Sequence, residues 1–274
     1  MLRKPADIKV KSVEFSWDSR EFASLLRSCQ FDDSVNLTLK YLHDREIQIL
    51  EAGCGSGRVV KYLYDLGYKN VYGIELNGDA VLHINETFPE LKIIQGDILG
   101  MPYERGTFDV VLSYGVVEHF PESVLMPLQS IYNVLKPGGI AIITVPSLNI
   151  IRKWITRLYL DLLNPRTFVR AVKRISQPSI GKLYHSYPPY GDFFEYRLTP
   201  EEFISVCKKA GFQILESAPI AHIDGLFHLF GPPLVKYKNW EFTVSTIGRT
   251  INKILMRYPF LHNHMHACVL RKNG

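Results

Sequence analysis

The chain has 274 residues, 46% hydrophobic and 22% charged, which is the balance of a globular protein with room for one or two domains. Its net charge of +5 is too weak by itself to argue for nucleic acid. The four scattered cysteines (Cys29, Cys54, Cys207, Cys268) lack metal-ligand spacing, no apolar run reaches the roughly 18 residues of a membrane span, and the charged start has no signal-peptide core, so reduced thiols and a cytoplasmic home are expected.

In chain order, 1–46 is expected to form an N-terminal helical cap. A strand follows at 47–50, then a helix at 58–66 closed by Gly67, a strand at 70–74, and a helix at 79–88 closed by Pro89. Strands at 91–94 and 108–112 precede a helix at 121–135, with Pro121 in its first turn, and an apolar strand at 140–145. Strands alternating with helices predict an α/β fold with a parallel sheet covered on both faces, and fully apolar strands such as IAIITV fit its buried centre. Thr199-Pro200-Glu201-Glu202 reads as a helix start, with Thr as N-cap and Pro in the first turn. That helix stops at Gly211, and strands are expected at 212–215 and 265–270. The chain thus divides into 1–46, a core at 47–146, an insertion at 147–198, and a return to the core at 199–274 that carries a second insertion at 219–262. Insertions of this length inside a compact domain are usually functional.

The stretch ILEAGCGSG at 49–57 places Gly53, Gly55 and Gly57 on alternate positions after an apolar run. A dinucleotide fingerprint needs glycine at its sixth position, which is Arg58 here, so a nicotinamide reductase is disfavoured. The bend still suits an adenosine-type ligand, because glycines let backbone approach it and a helix start offers free N–H groups. A plain strand-to-helix turn is the alternative. Glu75 stands about 20 residues past the glycine loop at a strand end, where a carboxylate accepts ribose hydroxyls; a surface glutamate is the alternative. Asp97, at the next strand end, can accept the adenine amine with Ile98 packing on the ring, or can cap the following turn.

Taken together, EAGCGSG, GIELN, GDI, FDVVLSYGVVEH and LKPGGIAIITVP resemble, in order, the class I S-adenosylmethionine-dependent methyltransferases. The resemblance covers about 47–146. It implies a Rossmann-like, doubly wound seven-stranded sheet whose last strand is antiparallel, inserted beside the sixth, with the insertions forming a lid. It implies S-adenosylmethionine as cofactor. Glu51, Gly53, Cys54 and Gly55 would face its methionine part, Glu75 the ribose, and Leu76, Asp97 and Ile98 the adenine. Ser113 and Tyr114 would lie under the sulfonium. His119, in the Glu118-His119 pair, is the candidate general base, or it shapes the pocket only. Similar quinone-precursor enzymes carry a metal-linked carboxylate where this chain has Gly115, so no metal is carried over.

For the acceptor, the Asp/Asn-Pro-Pro-Tyr and Pro-Cys signatures of DNA-methylating enzymes are missing. Tyr187-Pro188-Pro189-Tyr190 lies beyond the fifth strand and reads as a loop. Residues 151–182 hold eight Lys or Arg against Asp161, a charge of +7 with the rest of the chain at −2. Trp154, Ile155, Leu158, Tyr159 and Leu162 share one helical face there. Such a helix is either a lid or, through 151–175, a peripheral contact with an anionic membrane. The aromatic 219–262 insertion suits a small or amphiphilic acceptor, a metabolite, lipid or glycan precursor methylated on oxygen or nitrogen, that His185 and Tyr190 could reach. An RNA or protein methyltransferase using 151–182 as a polymer platform is the alternative. His262, His264 and His266 alternate along a strand and could converge on a metal, but no carboxylate supports them in sequence, and polar residues at a sheet edge are the preferred reading.

Overall fold

The computed structural model describes residues 19–152, 181–187 and 191–274. Two helices, α1 (Ser19–Ser28) and α2 (Asp33–Leu39), precede an alternating run: β1 (Ile49–Ala52), α3 (Arg58–Asp65), β2 (Val71–Glu75), α4 (Gly78–Thr87), β3 (Lys92–Gln95), β4 (Phe108–Tyr114), α5 (Leu125–Val134) and β5 (Leu135–Pro146). A hairpin, β6 (Gly181–Tyr187) and β7 (Gly191–Arg197), leads to α6 (Pro200–Lys209) and β8 (Phe212–Ile220). The chain then forms α7 (His222–Phe230), a second hairpin of β9 (Val235–Lys238) and β10 (Glu241–Val244), α8 (Thr246–Leu255) and β11 (Met265–Lys272).

Seven strands form one sheet in the order β3-β2-β1-β4-β5-β11-β8. β1 pairs in parallel with β2 and β4, and β4 with β5. The last strand, β11, runs antiparallel to both neighbours and sits inside the sheet, as the resemblance implies. Strand alternation splits the core into two layers. Cys268 and Leu270 face one layer with Leu128 and Ile131 of α5 and Phe203 of α6, while Ala267 and Val269 face the other with Val60 and Leu63 of α3 and Ile84 of α4. All four cysteines are free and buried.

The helix expected at 121–135 begins four residues later, at Leu125. A short 3-10 turn occupies Val117–His119, the carbonyl of Pro121 accepts the Tyr196 hydroxyl at 2.9 Å, and Ser123 Oγ accepts the N–H of Leu125 at 3.1 Å. These bonds, one local and one from β7, hold 120–124 out of the helix. The 219–262 insertion is largely regular, with two helices and a hairpin. Most of the basic 151–182 segment (153–180), together with Tyr190, lies outside the described residues, and His185 falls on β6, where only the backbone is described. Among the described residues no helix is long and apolar enough to cross a membrane.

Candidate functional site

The carboxyl ends of β1, β2 and β4 meet at one rim of the sheet, and the residues singled out above gather there. After β1 the chain turns through Gly53, Gly55 and Gly57, with φ of 81°, 53° and 73°. Those angles lie in the left-handed region that a side chain disfavours. At Gly53 there is a steric reason as well: a Cβ would lie 2.6 Å from Cγ2 of Val116. The bend is pinned to β2, because the N–H groups of Gly53 and Cys54 both donate to the Ile74 carbonyl, at 2.9 and 3.1 Å.

Glu75 faces this bend. Its Oε2 accepts the Gly55 N–H at 2.8 Å and its Oε1 accepts the Asn77 N–H at 3.0 Å. A carboxylate offers about four lone-pair directions, so capacity remains for two hydroxyls. Glu51 is different: it is buried, and its Oε2 has no hydrogen-bond partner among the described residues. Burial raises its carboxyl from 4.5 to about 8, a shift the Arg58 guanidinium partly opposes. Arg58, the residue that breaks the dinucleotide pattern, bonds Asp32 at 2.6 Å and the Cys29 sulfur at 3.3 Å, tying the N-terminal segment to the start of α3.

The remaining expected residues divide. Asp97 is exposed and caps the Ile98–Gly100 turn by accepting the Leu99 N–H at 2.8 Å. Leu76 is 53% exposed at the rim. Ile98, by contrast, is buried in the core layer that also holds Leu128. Cys54 turns its sulfur inward over Gly73, where a Cβ would lie only 2.8 Å away, so Cys54 lends the bend only backbone. Ser113 is fully buried and donates to the Ala52 carbonyl at 3.1 Å. Tyr114 bonds Thr38 of α2.

His119 ends the 3-10 turn after β4, with Nε2 3.8 Å from Glu118 Oε1. Glu118 is buried, its Oε2 has no hydrogen-bond partner among the described residues, and burial pushes its carboxyl well above the ordinary range. Burial thereby favours the protonated form of this carboxyl beside His119.

The histidines of the C-terminal run do not converge. His266 does not lie at a sheet edge, because β11 has a neighbour on each side, and His262 and His264 precede that strand. His262 bonds Asn252 Oδ1 at 2.8 Å and His266 bonds Ser217 Oγ at 3.0 Å, both buried. His264 faces Asp224 and stacks on His228, ring centres 4.4 Å apart. The carboxylate that the sequence around 262–266 lacks is thus supplied by α7. The one sequence signal was the four-residue spacing of Asp224 and His228.

Comparison with known proteins bears on the same region. Residues 50–143 match a family model described as a methyltransferase domain. A probable S-adenosylmethionine-dependent methyltransferase of Mycolicibacterium smegmatis is 28% identical over 99 residues, covering 36% of this chain and 38% of that protein. The match therefore spans little more than a third of that relative. The demethylmenaquinone methyltransferase of Chlorobaculum tepidum is 24% identical over 188 residues, 68% of this chain and 74% of the relative. The PH0226 protein of Pyrococcus horikoshii superposes with a TM-score of 0.58 over 93% of each chain at 17% identity, a likeness of fold. The segment from β1 to β5 thus matches a methyltransferase domain, and the sheet has the class I, Rossmann-like fold seen in the S-adenosylmethionine dependent methyltransferase of Mesorhizobium loti, TM-score 0.54 at 11% identity.

Proposed function

We propose that this chain transfers a methyl group from S-adenosylmethionine to a small or amphiphilic acceptor. The observation that carries the reading is the rim of β1 and β2. There a glycine-rich bend stands between Glu75, whose carboxylate is fixed by two backbone N–H groups, and Glu51, a buried carboxyl with an oxygen that has no hydrogen-bond partner among the described residues. These residues fit the cofactor. Glu75 would hold the ribose hydroxyls, Asp97 the adenine amine, and Glu51 the ammonium of the methionine part, whose charge would draw the proton off that carboxyl. When bound, the sulfonium supplies an already electrophilic methyl, so the protein's task is alignment and exclusion of water.

His119 is then the group to accept a proton from an acceptor hydroxyl. Its support is position, at the carboxyl end of β4 beside the buried Glu118. An amphiphilic acceptor is favoured by the demethylmenaquinone-named relative, and by the aromatic cluster of Phe227, Tyr237 and Phe242, whose ring centres lie 4.7 to 6.0 Å apart. The membrane contact expected through 151–175 falls mostly outside the described residues; as a separate reading, exposed apolar residues Trp240, Ile247 and Ile254 and the exposed basic residues of β9 and α8 would suit an anionic membrane surface.

The test is calorimetric titration with S-adenosylmethionine, S-adenosylhomocysteine and NADH. The first two should bind and the third should not; absence of affinity for both sulfur compounds ends the reading. His119→Ala should then lower turnover of a hydroxyl acceptor, with S-adenosylhomocysteine affinity unchanged. A loss of affinity with intact turnover would make His119 a pocket residue.

A further inference from the structure

Asp224 and His228 stand four residues apart on α7, so their side chains leave one face of the helix. That face meets the segment leading into β11 at very short range: a Cβ on Gly225 would lie 1.7 Å from the His262 carbonyl oxygen. His264 completes the group from the other side. Asp224 Oδ1 lies 3.2 Å from His228 Nε2, and Asp224 Oδ2 lies 3.7 Å from His264 Nε2. The two imidazoles are stacked with 17° between their planes. One ligand atom from each of the three residues lies within 4.8 Å of the other two.

We propose that Asp224, His228 and His264 bind one divalent cation of the zinc class on the acceptor side of the molecule. Two imidazole nitrogens and a carboxylate oxygen are the donor set that borderline ions such as Zn2+ and Co2+ prefer. Three protein ligands leave a coordination position for an exchangeable oxygen donor. His228 is half exposed, which gives an ion a route in. The place is suggestive too. The residue after His264, Met265, has its Cε 3.8 Å from where a Cβ of Gly115 would stand, so His264 neighbours a side chain that reaches the loop carrying Glu118 and His119. Use of the open position to hold a hydroxyl, carboxylate or phosphate of the acceptor rests on the methyltransferase reading; binding of the ion does not.

Arg152 sets a condition on the site. Its guanidinium contacts His264 Nδ1 and donates to the carbonyls of Ser147 and His264, at 3.1 and 3.2 Å. With Nδ1 accepting, the ring proton sits on Nε2. Coordination through Nε2 requires that proton on Nδ1, so Arg152 must release the ring and keep its two carbonyls. Arg152 and the cation therefore compete, and no net proton is lost from His264.

The experiment is equilibrium dialysis of the full chain against Zn2+, with Co2+ absorption as a second readout and melting curves to confirm that each variant is folded. Wild type should bind one equivalent. Asp224→Asn and His264→Gln should each weaken binding by more than about 100-fold, since even groups behind metal ligands are worth 10–100-fold. Half-exposed His228→Gln, the variant least able to disturb the fold, should weaken it as well. His83→Gln on α4 should leave it unchanged, and Arg152→Gln should tighten it. No saturable binding by wild type, or equal binding by the folded variants, overturns the proposal and leaves these residues a hydrogen-bonded ion-pair network. Titration of the same preparation with S-adenosylhomocysteine keeps that failure distinct from failure of the methyltransferase reading.

Discussion

Glu51 shows how one buried carboxyl couples the glycine bend to pH. Below 4.5 both folded and unfolded chains hold its proton; between 4.5 and about 8 the unfolded chain releases it and the folded chain keeps it. The folded state then binds more protons, so stability falls as pH rises through that window. Glu118 acts in the same direction. Glu51→Gln removes the titration without removing much volume. Its unfolding free energy should fall less steeply with pH, by up to about 1.4 kcal/mol per pH unit, in urea denaturation compared at about pH 5 and about pH 7.5. The same substitution should weaken S-adenosylmethionine, because an amide cannot ionise to meet an ammonium. Identical slopes for the two proteins would show that the carboxyl is not held protonated.

At the scale of elements, α6 is the plainest case of sequence becoming structure. Thr199 Oγ1 accepts the Glu202 N–H at 3.3 Å, and Glu202 Oε2 accepts the Thr199 N–H at 2.8 Å, a reciprocal cap with Pro200 in the first turn. The helix buries Phe203 and Cys207 in the core layer and packs against β8, at the opposite edge of the sheet from β2. Thr199→Ala should therefore cost about 1 kcal/mol of stability and leave cofactor affinity unchanged, as a melting curve and a titration on one sample would show. Such local features are legible in a sequence: the cap, the glycine bend, Glu75 and Asp97 at strand ends, and the apolar β5. Those read from neighbours alone were less so. The start of α5 is delayed by a bond from Tyr196, seventy-five residues on. Ile98, Cys54 and Ser113 sit at the expected positions, yet their side chains enter the core, because a strand end or tight turn fixes where the backbone goes and the packing behind it decides where the side chain points. The group at Asp224 was hidden because its members come from α7 and from the segment leading into β11, which only the tertiary packing brings together.

For the whole molecule, the exposed surface of the second insertion bears on where the protein works. The β9–β10 turn places Asn239 and Trp240 at φ of 51° and 64°, a two-residue turn whose second position normally takes glycine. A tryptophan there is conformationally costly, and it is 40% exposed. On α8, Ile247 and Ile254 are two turns apart on one stripe and are 68% and 54% exposed, with Tyr258 just beyond at 69%. The same hairpin and helix and the residues after them expose Lys236, Lys238, Arg249, Lys253 and Arg257, against the acid Glu241. Exposed aromatic and aliphatic groups accompanied by basic ones suit the boundary between headgroups and acyl chains, where each Lys or Arg near an anionic surface contributes about 1 kcal/mol. The chain should sediment with vesicles containing phosphatidylserine, less with neutral ones, and less again as salt rises, because exposed charges are screened. Ile254→Ser with Trp240→Ser should reduce that binding and leave S-adenosylhomocysteine affinity intact, since both lie outside the β1–β2 rim. If the variant binds vesicles as wild type does, this surface has another use. Light scattering of the vesicle-free protein then decides whether the apolar stripe pairs two copies of the chain, which would show as twice the 31.4 kDa mass.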